Sequence, residues 1–215
     1  MGTSWTNEIP KIIEDADLYV FSLKDTALPE VISQMKPNNG LWVHTAGSVP
    51  MDIFKGHVER YGVFYPLQTF SKERPVSLDG TWIFLELSSP EDEKMLKKVA
   101  KALSGKVQLL SSEKRKYLHL SAVFVCNFTN HMYHLASKIL EEEDIPREVL
   151  LPLIDETAAK VHDLSPQDAQ TGPAVRFDKT IIDKQLSMLN DPAMRTVYQL
   201  LSQNIYKEKV TKDIK

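Results

Sequence analysis

Short apolar runs alternate with helix-spaced stretches through the first half of this chain. Asp17-Leu18-Tyr19-Val20-Phe21-Ser22 is a run of the length and composition of a strand buried on both faces. Asp25 or Thr26 stands where a cap opens a helix through Glu30, Val31 and Met35, which stops near Pro37-Asn38-Asn39-Gly40. Strands are predicted at 40–44 and 61–65, with a short helical segment opened by Pro50 between them. After Ser77-Leu78-Asp79-Gly80, residues 81–87 read as a strand with one buried face. Ser89-Pro90-Glu91-Asp92 combines a cap, a first-turn proline and an early acid, and opens a helix to Leu103. Val107-Gln108-Leu109-Leu110 is the last predicted strand.

From Ser111 the pattern becomes helical to the end. Helices are predicted over 112–142, 146–163 and 178–189, and a fourth starts at Asp191-Pro192, again with cap and proline. The loop 165–173 interrupts them, and the charged tail from Lys207 is expected to fray. The chain therefore divides into an α/β part, 1–110, and an all-α part, 111–215.

The first of these helices has an unusually apolar middle. On a wheel with His119 at zero, Asn130 falls at about 20°, Lys116 and His134 at about 60°, Asn127 at about 80° and His131 at about 120°. Tyr117, Phe124, Val125, Phe128, Met132 and Leu135 occupy the other side. A helix this apolar is expected to be buried nearly all round, so its polar arc must meet partners or a wet cavity. One reading is a hydrogen-bonded seam between helices. The other is a cleft wall that offers His119 as proton donor, with Asn127 or Asn130 as orienters.

A facing wall is available. The strands at 40–44 and 61–65 both run out into small and polar residues, His44-Thr45-Ala46-Gly47-Ser48 and Tyr65-Pro66-Leu67-Gln68-Thr69-Phe70. In open α/β sheets ligands bind beyond the carboxyl ends of the strands, so Gln68 and Thr69 become candidate substrate contacts. None of the eight glycines forms the Gly-x-Gly-x-x-Gly turn that cradles a pyrophosphate.

Composition narrows the classes. With 215 residues, 42% hydrophobic and 26% charged, the chain has ordinary globular usage. A net charge of −3 provides no basic face for nucleic acid. Cys126 is the single cysteine, so no intrachain disulfide forms, and its apolar surroundings suit an inert thiol. No apolar stretch reaches the ~18 residues that span a bilayer, and no signal-peptide pattern opens the chain. No membrane partner is expected, and the cytoplasm is the expected compartment.

Other chemistries find less support. His131 and His134 have a usable metal spacing but no third ligand or carboxylate on their arc, so no metal is expected. Ser48 and Thr45 do not lie in a nucleophile elbow. Arg176, after Thr171-Gly172-Pro173, reads either as a carboxylate or phosphate anchor or as a surface arginine paired with Asp178. Lys114-Arg115-Lys116 reads as a solvated first turn.

Four ordered segments resemble one family. They are residues 15–25 (Asp15-Ala16-Asp17 through Lys24-Asp25), His44-Thr45-Ala46-Gly47-Ser48, residues 118–128 around His119 and Asn127, and Gln170-Thr171-Gly172-Pro173-Ala174-Val175-Arg176. Together they resemble the Rossmann-like oxidoreductases with a C-terminal helical domain of unknown function, relatives of pyrroline-5-carboxylate reductase and 6-phosphogluconate dehydrogenase. The resemblance implies a partial Rossmann-like sheet followed by a helical substrate and dimerisation domain, and a homodimer built through that domain. It implies NADP or NAD as cofactor, with Ser22, Leu23 and Lys24 touching it and His44, Thr45 and Ser48 near the nicotinamide. The substrate would lie against His119 and Asn127. The catalytic Lys-Asn pair of related hydroxyacid dehydrogenases is not carried over, because the residue four after Lys116 is Leu120. Family members begin with a strand, the glycine-rich turn, a helix and two more strands, which have no counterpart before Asp15. Either the chain is part of a longer enzyme, or it covers the exposed edge of the 17–22 strand by assembly; the former is expected, with cofactor binding impaired in the chain as it stands.

The resulting expectation is an NAD(P)-dependent reductase or dehydrogenase of a small anionic carbonyl or imine. Its rival is a non-catalytic dimeric module that binds a metabolite or partner, favoured by the missing glycine turn. A helical dimerisation domain with a vestigial sheet is the third.

Overall fold

The computed structural model describes residues 4–213, so the first residues of the 1–110 segment, Met1 among them, and the last two of 111–215 lie outside the described residues. Five strands form one mixed sheet in sequence order: β1 (Leu18–Phe21), β2 (Leu41–His44), β3 (Tyr61–Pro66), β4 (Ile83–Leu87) and β5 (Val107–Leu109). The first three are parallel, β4 is antiparallel to β3, and β5 is parallel to β4. The fold class is α/β, as the alternation predicts. The reversal at β4 is not visible in the pattern, because an apolar run has no direction.

All four residues of β2 are buried, with apolar layers on both faces. One layer is Tyr19, Phe21, Trp42 and Phe54 with Leu28 and Ile32 of α1 (Leu28–Gln34). The other is Leu41, Val43, Phe64, Ile83 and Leu85 with Leu96 and Ala100 of α2 (Glu93–Leu103). Ser89 caps as predicted, accepting from the Glu91 amide. The predicted cap of α1 is replaced: its N-cap is Ala27, with no side-chain bond, while Asp25 accepts instead from Ser48.

α3 (Ser112–Ala122) runs into a π-helical segment, Val123–Phe128, and then α4 (Thr129–Glu141). Thr129 Oγ1 donates to the Phe124 carbonyl five residues back, at 3.1 Å. This insertion corrects the wheel. Each residue in a π turn rotates through less than the ~100° of an α-helix, so the angles assigned to Asn127, Asn130, His131 and His134 do not hold. Burial is corrected too. Tyr117, Phe124, Val125 and Phe128 are 65%, 60%, 75% and 50% exposed, so the apolar side is not enclosed by this chain. It is the polar side, Arg115 and His119, that meets the sheet.

The chain separates into two compact units, one ending at Asn130 and the other beginning at His131. The change of pattern at Ser111 marks the end of the sheet, whereas α3 stays with the sheet unit because its polar side chains bond there. The second unit contains α5 (Leu151–Asp163), α6 (Pro166–Ala169), α7 (Lys179–Met188) and α8 (Pro192–Asp213). α6 is a single turn inside the predicted loop, capped by Ser165. Asp191 caps α8 through the Ala193 and Met194 amides, and α8 continues past Lys207, where fraying is expected, to Asp213. Among the described residues no helix is long and apolar enough to cross a membrane.

Candidate active site

β5 ends at the edge of the sheet where β3 begins, so α3 returns along the sheet toward the carboxyl end of β3. The distances match. One turn from Arg115 to His119 rises ~6 Å, close to the ~6.6 Å between Val63 and Tyr65 two places apart on a strand. Glu86 pairs with Val63. Arg115 therefore meets Glu86 at the level of Val63, and His119 arrives at Tyr65.

Glu86 is the hub of the first meeting. Its carboxylate accepts from the Ser112 amide (2.7 Å), the Ser112 hydroxyl (2.5 Å) and Arg115 Nη1 (2.6 Å). Arg115, only 1% exposed, also donates from Nη2 to the Val49 carbonyl at 2.5 Å, and the Met51 amide donates to Ser112 Oγ at 3.1 Å. Two charges and a hydroxyl thus hold the loop after β2 against the start of α3. The guanidinium Nε is buried without a hydrogen-bond partner among the described residues. The solvated first turn predicted for Lys114-Arg115-Lys116 is corrected at its middle residue: Arg115 is a buried anchor, while Lys116 pairs outward with Glu113.

His44 lies inside that loop. The ring is fully buried; Nδ1 accepts from the Ala46 amide at 3.2 Å, which leaves the proton on Nε2, 3.4 Å from the Pro50 carbonyl. Burial, reinforced by the Arg115 charge, pushes its pKa down to about 4. His44 is a neutral pin within residues 44–50, and both nitrogens are engaged there.

The second meeting is at His119. Its Nδ1 lies 3.1 Å from the Tyr65 hydroxyl, with the rings edge-on at 71°. Gly47 approaches the same ring so closely that a Cβ there would stand 2.3 Å from Nδ1. Tyr65 is buried, and burial raises its phenol above the usual value against a smaller opposing effect of Arg115. Ser48 Oγ donates to Asp25 at 2.5 Å, tying the loop after β2 to the loop after β1. The ends of two strands and one helix thus meet at a half-buried imidazole whose Nε2 has no hydrogen-bond partner among the described residues.

The other candidates are placed as follows. Ser22, Leu23 and Lys24 are exposed in the loop after β1, and Thr45 is half-buried beside His44. Gln68 and Thr69 are exposed past the end of β3, where Gln68 accepts from the Thr69 amide and donates to Thr81. Asn127 and Asn130 are exposed, and among the described residues their side chains make no hydrogen bond. Arg176 belongs to the second unit; it is exposed and forms no ion pair among the described residues, Asp178 instead capping α7 through the Ile181 amide. His131 and His134 stand with ring centres 6.1 Å apart, and no group of three potential metal ligands occurs among the described residues. Tyr65, Glu86 and Arg115 were missed by sequence reasoning. The available signal was a tyrosine at the end of one apolar strand pattern and a glutamate inside another.

Comparison with known proteins follows the same lines. Residues 81–205 match the model of a domain of unknown function, DUF2520. Among solved structures, the chain is similar to a candidate NADP oxidoreductase from Bacteroides fragilis, with 50% identity and a TM-score of 0.91 over 94% of this chain and 80% of that one. A protein from Thermotoga maritima is 21% identical, with a TM-score of 0.73 over 91% of this chain and 81% of its own. An imine reductase from Myxococcus stipitatus, solved with NADP+, is 14% identical, with a TM-score of 0.60 over 96% and 79%. The last two likenesses concern the fold alone. Among curated proteins none matches this chain.

Proposed function

Since the chain belongs to the DUF2520 family, we propose that it is an NAD(P)-dependent oxidoreductase of small carbonyl or imine substrates, with His119 as the proton donor. The observation that carries this reading is the meeting of Gly47 and Tyr65 on one imidazole beyond the carboxyl ends of β2 and β3, in a loop that the Ser48–Asp25 bond ties to the end of β1. Ligands of open α/β sheets bind at such ends. The 50% identity to a candidate NADP oxidoreductase supports the cofactor class.

The residues present suit the nicotinamide end of such a cofactor. Ser22, Thr45 and Ser48 offer hydroxyls, Leu23 an apolar surface and Lys24 a cation on two linked loops. Gly47 lets the loop backbone close on the His119 ring, an approach that any side chain would block. The sequence contains no glycine-rich turn for the pyrophosphate. When bound, the nicotinamide supplies a hydride. His119 holds a proton at Nε2 for the oxygen or nitrogen that receives the developing charge, while His44 and Arg115 hold the Gly47 loop in place. Gln68, Thr69, Asn127 and Asn130 are the candidate substrate contacts. An anionic substrate would meet Lys24 favourably.

The outward side of α3 and of the π-helical segment that continues it supports a homodimer. Tyr117, Leu120, Phe124, Val125 and Phe128 form an exposed apolar row on one helix, and such rows mark association surfaces.

The test is saturable NADPH or NADH binding to the protein at its full natural length, followed by turnover of a panel of cyclic imines and 2-oxo acids. Binding of neither dinucleotide sinks the reading, as does a His119→Gln variant with undiminished turnover. If neither dinucleotide binds, the reading that replaces it is a metabolite-binding module without hydride transfer. It predicts thermal stabilisation by a ligand other than a dinucleotide.

A further inference from the structure

We propose that Tyr65 is a positioning residue for His119, holding the ring by Nδ1 and reserving Nε2 for the reacting atom. The inference rests on His119 being the proton donor. Two independent contacts support it. The Tyr65 hydroxyl is 3.1 Å from Nδ1, and Gly47 closes on the same edge of the ring, leaving no room for a Cβ. A half-turn of the imidazole about its χ2 axis would remove Nδ1 from Tyr65 and leave the phenol, buried at 8% exposure, without a partner. Leaving a buried hydroxyl unbonded is unfavourable, so the pair selects one ring orientation.

The choice of a phenol rather than a carboxylate has chemical content. A tyrosine hydroxyl both donates and accepts. Beside a neutral imidazole, Tyr65 O–H donates to Nδ1 and the ring proton resides on Nε2. Beside an imidazolium, Nδ1–H donates to the Tyr65 oxygen. In the reductive direction the imidazolium Nε2–H bond breaks, its electron pair stays on Nε2, and the proton forms the new O–H or N–H bond of the product. The hydride comes from a reduced nicotinamide, which is thereby oxidised. The neutral ring that this step leaves carries its proton on Nδ1, donating to the Tyr65 oxygen. Solvent then reprotonates Nε2, and loss of the Nδ1 proton to solvent restores the resting Nε2–H tautomer. Tyr65 thus keeps its proton throughout, and the ring does not turn. Burial raises the Tyr65 pKa, which keeps the phenol in the protonated form that this role requires.

The sequence signal is slight. Val63 and Tyr65 face the same side of β3 as Leu118 of α3, in a small apolar layer with Phe84. A phenylalanine would satisfy that layer. The hydroxyl is needed for His119 alone.

The experiment records imidazole 15N spectra of the full chain at pH about 8.5, where an imidazole is neutral, for wild type and Tyr65→Phe. Wild-type His119 is expected in the Nε2–H tautomer, and Tyr65→Phe is expected to mix or reverse it with little change in melting temperature. With an active substrate from the panel, the same variant should lose roughly 10- to 100-fold in kcat while KM and dinucleotide affinity stay within a factor of two. A wild-type His119 in the Nδ1–H form overturns the proposal without recourse to the variant. So does an unchanged tautomer and kcat in Tyr65→Phe. If His119→Gln retains full turnover, it is the proton-donor reading that fails, and the tautomer measurement still reports separately on the contact.

Discussion

Gly47 and His119 are packed backbone against ring: a Cβ on Gly47 would lie 2.3 Å from His119 Nδ1 and 2.6 Å from Cγ. Nothing in the positions of these residues, 72 places apart, announces the contact. It follows from the hub below it, where Arg115 grips the Val49 carbonyl and so fixes the height of the loop relative to α3.

Gly47→Ala should therefore act on the site more than on the fold. The methyl group displaces the imidazole and breaks its bond to Tyr65, at a cost of about 1–3 kcal/mol for the overpacked contact. Thermal melts should show a modest fall, and the His119 ring resonances should shift. A variant with wild-type stability and unmoved His119 signals would contradict the packing described.

Glu86 and Arg115 should be strongly coupled. Glu86→Ala strands a guanidinium that is 1% exposed, and breaking such a pair costs about 3–5 kcal/mol. Replacing both residues, as Glu86→Gln with Arg115→Met, should be less damaging than the sum of the two single changes. Urea denaturation of the four proteins in the cycle measures the coupling. Additive losses would mean that the network does not act as a unit.

His44 makes stability depend on pH in one direction. Its native pKa is about 4, against 6.5 for an ordinary histidine, held there by burial and Arg115 while Asp25 and Glu86 pull the other way. Between these values the unfolded chain takes up a proton that the native ring refuses. Stability is therefore full above pH 6.5 and falls as the pH drops toward 4, by about 3 kcal/mol at most. His44→Gln should remove this component. Parallel pH–stability curves for the two proteins would refute the assignment.

The apolar row on α3 and the π-helical segment after it should drive self-association. Val125 and Phe124 are 75% and 60% exposed, and paired Phe124→Asp and Val125→Asp changes should convert a dimer to a monomer in light scattering without unfolding it. A wild-type protein that is monomeric at micromolar concentration would remove the homodimer from the proposal.

The elements were largely legible in the residues because local pattern is a property of neighbours in sequence. The runs at 17–22, 40–44 and 61–65, the cap at Ser89 and the proline after Asp191 each specify their own backbone, and the structure has elements at all of them. The wheel of the long helix failed for a physical reason. It assumed an unbroken α-helix, and the π segment Val123–Phe128 interrupts the rotation on which the angles depend. Asp25 was legible as a helix cap and found a stronger partner in Ser48, which only the neighbouring strand brings within reach.

By itself, then, the sequence determined the α/β half, the helical half and His119 as a polar group on an apolar helix. The tertiary structure decided the direction of β4, the polar side of α3 as its inward side, and the meeting of His119 with Tyr65 and Gly47. Hydrophobic periodicity reports which residues prefer burial. It does not report which distant polar groups can satisfy one another, and here the half-buried Glu86 carboxylate turned the Arg115 side of the helix toward the sheet.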